Sequence, residues 1–230
     1  MTGGAVRVGR GIALALARAG MDVAISYHRS AARARRTLRE LQAAGARAVA
    51  IRADLSRPPA ARRLVASAAR TLGGLDVLVN SAAVLHRTPF RTTTPAQYGT
   101  LLDLNLRGAF FTCQAAARLM ASRGGHIVNI GDAAGDKTYP GFIPYRLSKA
   151  GLVALTRSLA VVLRPDGIAV NCVSPGAVLR PVDFPRARWR RLSRGHQGSV
   201  EDVAAAVVFF ATCPVYVTGQ VLRVDGGETA

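Results

Sequence analysis

The chain of 230 residues is half hydrophobic and carries 31 basic against 13 acidic side chains, a formal net charge of +18. The apolar share excludes a disordered chain, and the length suits one sizeable core rather than two domains. No uninterrupted apolar run approaches the roughly 20 residues of a membrane-spanning helix; the longest, 203–217, contains Thr212 and Pro214 and reads as a helix, a break and the start of a strand.

In chain order, a glycine-rich loop over 2–11 leads into a helix. A strand follows at 23–27, then a helix at 30–44 with Ser30 as N-cap and Gly45 as stop. A strand at 46–53 ends in Asp54, and a helix at 58–72 has prolines in its first turn. Next come a strand at 75–80, one long helix at 95–122, a strand at 125–130 and a helix at 143–163. A strand at 168–173, a helix at 200–212 and a strand at 220–224 complete the pattern, with an irregular Pro- and Arg-rich stretch at 175–199. Apolar strands alternating with helices predict an α/β domain spanning 1–230, its parallel sheet covered on both faces. A glycine loop of this kind normally follows a strand, yet only Met1 precedes it. The expectation is therefore that the first strand is missing here and that the natural chain begins upstream with an apolar strand of about five residues, the mean length of a strand; the alternative is a truncated, poorly folding relative in which residues 1–4 supply only a stub.

The charge admits nucleic acid, an anionic surface or phosphorylated ligands as partners. The excess is almost all arginine, with only Lys137 and Lys149 as lysines, and GC-rich codons account for abundant arginine and alanine alike. Trp189 and five tyrosines offer little stacking surface, and no nucleic-acid module is recognisable, so no nucleic-acid partner is expected. Cys113, Cys172 and Cys213 form no C-x-x-C pair, which argues against a disulfide framework or a metal site and suits a reducing compartment. Arg7 and Arg10 before the apolar 11–17 imitate a signal peptide, but Arg18 ends the run after seven residues. A cytoplasmic protein with no membrane association is expected.

Glycines 3, 4, 9 and 11 before an apolar helix suit a diphosphate cradle, because bare backbone comes close to phosphate and a helix N-terminus offers amide donors. A plain glycine-rich turn is the alternative. At the end of the strand at 23–27, an NAD site usually places an acid for the ribose 2′-hydroxyl. Here the chain reads His28-Arg29-Ser30, which suits a 2′-phosphate and hence NADPH, or else is an ordinary basic turn. Asp54 is placed either for an adenine edge or as a helix cap. Tyr145 and Lys149, four residues apart, share a helix face. A lysine one turn from a phenol favours phenolate and lowers a pKa that starts near 10, giving a proton donor usable near neutrality.

With Asn80-Ser81-Ala82 after one strand and Pro175-Gly176 after another, these motifs resemble the short-chain dehydrogenase/reductases. The likeness runs from residue 2 to residue 228 and includes Asp54, Asn105 in Leu104-Asn105-Leu106, and the ending from Val217 to Gly227. It implies a doubly wound Rossmann domain, a small-molecule substrate, and a homo-oligomer, tetramer or dimer, built through the long helices. It also implies a cofactor site from Gly3, Arg7, Gly9, His28, Arg29, Ser30, Asp54, Leu55, Asn80, Ser81, Ala82, Tyr145, Lys149, Pro175 and Gly176. The catalytic set it implies is Asn105, Asp132, Tyr145 and Lys149, with Asn105 ordering a water relay.

Two details are similar to pteridine reductases. One is the T-G-x-x-x-R-x-G-R pattern with Arg7, Gly9 and Arg10; the other is Asp132, which stands where most of the superfamily has a serine. A carboxylate prefers donors, such as a pterin N–H or the tyrosine hydroxyl, over a ketone oxygen. A solvated loop aspartate, or a lost activity, is the other reading of Asp132. The resemblance therefore implies NADPH-dependent reduction of a dihydropteridine-like substrate held by Arg7, Leu85, Asp132 and Tyr145. Leu85 stands where an aromatic is usual, and Ser81 where asparagine is usual. Segment 186–194, with Trp189, either covers the pocket or is a solvated face. A ketone or 3-oxoacyl reductase, and a non-catalytic nucleotide-binding protein, are the alternative functions.

Overall fold

Among the described residues, six short and largely apolar strands make the sheet: β1 (Val23–Tyr27), β2 (Ala48–Arg52), β3 (Val77–Asn80), β4 (Gly125–Ile130), β5 (Ile168–Pro175) and β6 (Val221–Val224). The computed structural model describes residues 1–133, 140–180, 186–192 and 197–229. All pairings are parallel, β1 with β2 in one piece and β3-β4-β5-β6 in the other. Met1 and Thr2 join the pieces: the Ser26 amide donates to Met1 O at 3.0 Å, and the Thr2 amide donates to Val79 O at 2.8 Å. The place expected for a central strand, between 23–27 and 75–80, is thus held by two residues.

Helices α1 (Arg7–Arg18), α2 (Ala31–Ala43), α3 (Pro58–Leu72), α4 (Pro95–Leu102), α5 (Gly108–Met120), α6 (Ile143–Val162), α7 (Arg186–Leu192) and α8 (Val200–Thr212) connect the strands. Helices α1 and α8 pack on the sheet with β1, β3, β4 and β5, their Ile12, Leu16, Val203 and Val207 meeting Ile25, Val79, Val128 and Val173. Across the sheet, Leu78, Ile127, Ile168 and Val170 meet Cys113, Ala116 and Met120 of α5 and Ala160 of α6. This is the two-sided burial that the continuous apolar strands require. No helix among the described residues is long and apolar enough to cross a membrane.

Several local expectations are corrected. The glycine loop is shorter than 2–11, because α1 already begins at Arg7. Gly9 and Gly11 are helical glycines selected by close packing: a Cβ on Gly9 would strike Gly3 O, and one on Gly11 would strike Val200 Cγ1 of α8. The 95–122 helix is not uniform, since Asp103–Arg107 forms a π-helical turn between α4 and α5. Ser30 occupies the N-cap position of α2 but makes no side-chain capping bond. Residues 215–217 form an exposed turn instead of beginning a strand, with Tyr216 96% exposed. Within 175–199, the seven-residue α7 is present, whereas 181–185 and 193–196 lie outside the described residues, as does part of the 186–194 segment.

Gly9→Ala tests the close approach. The added methyl has no room against the Gly3 carbonyl, so the loop must move. Overpacking of this kind costs about 1–3 kcal/mol, and thermal denaturation should read a corresponding fall in midpoint together with weaker dinucleotide binding. An unchanged midpoint would mean that the loop yields freely.

Candidate active site

A cleft of about 1190 Å³ opens along the C-terminal ends of the strands. In doubly wound sheets ligands bind there, where the strand order reverses. One end is built by the turn after Thr2 and the start of α1, lined by Gly3, Ala5, Val6, Arg7 and Gly9. The N-cap of α1, Val6, makes no side-chain bond, which leaves the first-turn amides for a ligand. Gly3, at φ +64°, has no room for a side chain: a Cβ would lie 2.9 Å from Ala82 Cα. Thr2 Oγ1 accepts from the Ser81 and Ala82 amides at 3.0 and 3.1 Å, fixing that loop against the glycine turn. This bare cradle at a helix N-terminus fits a dinucleotide's diphosphate.

His28, Ser30, Asp54 and Leu55 line the cleft beyond β1 and β2, whereas Arg29 lies outside its lining as an exposed residue on the same turn. Asp54 Oδ1 accepts from the Ser56 hydroxyl at 2.6 Å and from its amide at 3.2 Å, which together hold the carboxyl below its usual range. The carboxylate is therefore already engaged as a turn cap. Arg7 takes a left-handed backbone, φ +53°, and its guanidinium donates to Leu179 O and Arg180 O at 3.1 and 2.9 Å. It straps the glycine turn to the segment after β5.

The other end holds the titratable groups. Tyr145 and Lys149 stand on α6, and Asp132 follows β4. The Tyr145 hydroxyl donates to Asp132 Oδ2 at 2.6 Å. Lys149 is buried, donates to Ile130 O at 2.7 Å, and lies 5.9 Å from the centroid of the Tyr145 ring. The expectation that Lys149 lowers the phenol pKa is overturned. Burial and then the Asp132 carboxylate push Tyr145 well above 10, and only Arg146 opposes them. Lys149 is itself shifted down by burial, with Asp132 opposing.

Two expected site residues lie behind the cleft wall. Asn105, in the π-helical turn, accepts from the Val84 amide at 2.9 Å and donates to Val84 O at 3.0 Å and Ser148 Oγ at 3.2 Å. Its side chain pins the loop after β3 to the tyrosine's helix. Asn80 turns inward: it donates to Asn129 Oδ1 at 3.0 Å and accepts from the Thr112 hydroxyl at 2.7 Å, while Asn129 donates to Thr156 Oγ1 at 2.9 Å. This buried ladder ties β3 and β4 to α5 and α6. A cavity of about 10 Å³, the scale of a single water, is lined by Asn80, Asn105 and Lys149.

Ser81, Ala82, Leu85, Pro175 and Gly176 line the cleft as expected. Leu85 is 41% exposed. No motif points to His86, Arg87, Phe142, Val178, Leu179 and Glu228, which share the lining, and Arg146 lies between the two termini of the tyrosine–lysine motif. Trp189 of α7 also lines the cleft. No cluster of three or more His, Cys, Asp or Glu side chains among the described residues is placed to hold a metal ion.

A parallel sheet with a glycine cradle at one end of its cleft and a tyrosine–lysine helix at the other defines a dinucleotide-dependent oxidoreductase. The family described as Enoyl-(Acyl carrier protein) reductase matches residues 4–229, and the chain belongs to that family, within the short-chain dehydrogenase/reductases. It is 33% identical to a 3-oxoacyl-[acyl-carrier-protein] reductase of Synechocystis sp., over 99% of this chain and 94% of that protein. It is 34% identical to 3beta-hydroxysteroid dehydrogenase 1 of Eggerthella lenta, over 100% of this chain and 92% of that protein. A short chain dehydrogenase from Burkholderia cenocepacia, solved in complex with NADP, superposes with a TM-score of 0.93 at 37% identity, covering 100% and 96% of the two chains. The chain is an NAD(P)-dependent oxidoreductase of this superfamily. The names of these relatives give no support to a specific likeness to pteridine reductases.

Proposed function

We propose that the protein reduces a carbonyl group with NADPH, as a ketone or 3-oxoacyl reductase. The observation that carries this reading is the Tyr145 phenol, facing the cleft one helical turn from Lys149, opposite a glycine cradle. When bound, NADPH supplies the hydride that the substrate carbon accepts. Gly3, Gly9 and the amides of α1 would hold the diphosphate, and Pro175, Gly176, Ser81 and Ala82 would hold the nicotinamide portion. Tyr145 Oη gives its proton to the substrate oxygen. Lys149 would hold the nicotinamide ribose and, through a water of the size that the cavity beside Asn105 admits, would return a proton toward the phenol. Asn105 acts by position. The relatives named above, a 3-oxoacyl reductase and a hydroxysteroid dehydrogenase, support carbonyl chemistry.

A second reading, reduction of a C=N bond in a dihydropteridine-like substrate, is favoured by one observation. Asp132 accepts a hydrogen bond from the Tyr145 hydroxyl, and a substrate N–H would replace that donor and free the hydroxyl. Oxidation of NADPH against 3-oxoacyl thioesters, small ketones, dihydropterins and dihydrofolate separates the two. Fastest turnover of a dihydropterin would overturn the carbonyl reading, and NADPH binding with no turnover would leave a non-catalytic nucleotide-binding protein. The reading includes a homo-oligomer through α5 and α6, which expose Phe110, Leu147, Val161 and Val162.

NADPH is preferred to NADH in this reading because His28, Arg29 and Ser30 offer donors at the end of β1, where an acid would repel the 2′-phosphate. A charge-assisted contact is worth about 1.5–3 kcal/mol, and Arg29 is exposed, so the lower end applies. Arg29→Ala should raise the KM for NADPH about tenfold and leave that for NADH nearly unchanged. Equal rises in both would remove Arg29 from phosphate recognition.

A further inference from the structure

The substrate end of the cleft carries one imidazole and two guanidinium groups. His86 and Arg87, on the loop after β3, line the same wall as Phe142, and Arg146 lines it from the first turn of α6. That wall is braced. The Thr88 amide donates to Gly141 O at 2.6 Å, and Thr88 and Phe142 form an isolated parallel bridge. Gly141 sits at φ +85°, and a Cβ there would lie 3.3 Å from Arg87 Nε and 3.5 Å from its Cγ. The Arg87 stem therefore runs along bare backbone, which limits where its guanidinium points. Neither His86 nor Arg87 makes a hydrogen bond or ion pair among the described residues. Arg146 is near enough for its charge to act on the Tyr145 phenol. Among the described residues, the acids at this end of the cleft are Asp132, which takes the tyrosine's hydrogen bond, and Glu228, on the lip after β6.

We propose that His86, Arg87 and Arg146 form an anion subsite, so that the substrate carries a carboxylate or phosphate beyond its reducible carbon. The proposal rests on the carbonyl-reductase reading only in placing that carbon at Tyr145. A planar guanidinium fork matches either anion with two parallel bonds, and a second cation nearby adds attraction without fixing the geometry.

Two pairs of probes test it on the full chain: 4-oxopentanoate with its ethyl ester, and dihydroxyacetone phosphate with dihydroxyacetone. Calorimetry on the NADP⁺-loaded protein reads binding, and NADPH oxidation reads turnover. The anionic member of at least one pair should bind about tenfold tighter or more at low salt, as a charge-assisted contact implies. The gap should narrow as ionic strength rises. The pair with the wider gap tells carboxylate from phosphate. Arg87→Leu should shrink the gap about tenfold, and Arg87→Lys should keep part of it, with NADPH fluorescence titration reporting an intact cleft. Anion-selective binding without turnover would keep the subsite and remove the reductase reading. Equal turnover of both members would keep the reading and remove the subsite. No difference in binding within either pair overturns the proposal.

Discussion

Tyr145→Phe should lower kcat by about 10²–10⁴-fold, the usual worth of a positioned proton donor, while the NADPH dissociation constant stays close to that of the parent. The substitution removes one oxygen and keeps the ring that packs beside Lys149. It also deletes the donor to Asp132, whose carboxylate then faces the cleft without that bond. The buried Lys149 still bonds Ile130 O, so the floor of the cleft keeps its shape. Stopped-flow NADPH oxidation reads the chemical step, and fluorescence titration reads binding. A kcat within threefold of the parent would mean that another group delivers the proton, and the roles assigned to Lys149 and Asn105 would fall with it.

The sequence was most informative where one physical signal acted alone. Helix 58–72 is reproduced to the residue, because its prolines fit the first turn and Gly73, at φ +86°, ends it in a left-handed cap. The strands at 23–27 and 125–130 are equally plain, since mostly buried parallel strands read as short, largely apolar runs between turn residues. Where tertiary packing chose the residue, the sequence misled. Gly9 and Gly11 looked like loop glycines and are helical, and only the neighbours Gly3 O and Val200 explain them. The π-helical turn has no local propensity signal; it carries Asn105, which bonds the Val84 backbone.

The site divides in the same way. Residues bound to fixed backbone geometry, such as Gly3, Ser81, Ala82, Pro175 and Gly176, were found from their motifs and line the cleft. Asn80 belongs to such a motif, but its side chain serves the buried ladder to Asn129 and Thr112. Charge balance was least legible. A lysine four residues from a tyrosine suggested a lowered phenol pKa, yet burial and Asp132 dominate it. His86 and Arg87 had no motif at all, since only the fold brings them to the same wall as Tyr145.

Asp132→Ser should move the pH dependence of reduction and, with it, the choice of substrate. Reduction needs Tyr145 protonated, so the rate falls as pH rises through the phenol's pKa. Burial raises that pKa first and the Asp132 charge raises it further, so removing the carboxylate lowers it while burial remains. The basic limb of the kcat/KM profile must then move to lower pH. In the reverse direction phenolate is the competent form, and alcohol oxidation should gain at neutral pH. The same change releases the tyrosine hydroxyl from its 2.6 Å bond and adds a serine donor beside the substrate oxygen. One added donor to a developing oxyanion is worth up to about 10²–10³ in kcat, and the new serine is not preorganised, so a gain of about tenfold on a 3-oxoacyl thioester is the expected size. A dihydropterin, which needs the carboxylate as acceptor, should lose activity in the same variant. Asp132→Asn separates charge from shape, because it keeps the outline of the side chain and removes only the anion. If both variants keep the basic limb where the parent has it, the carboxylate does not govern the phenol, and substrate choice must be set elsewhere in the cleft.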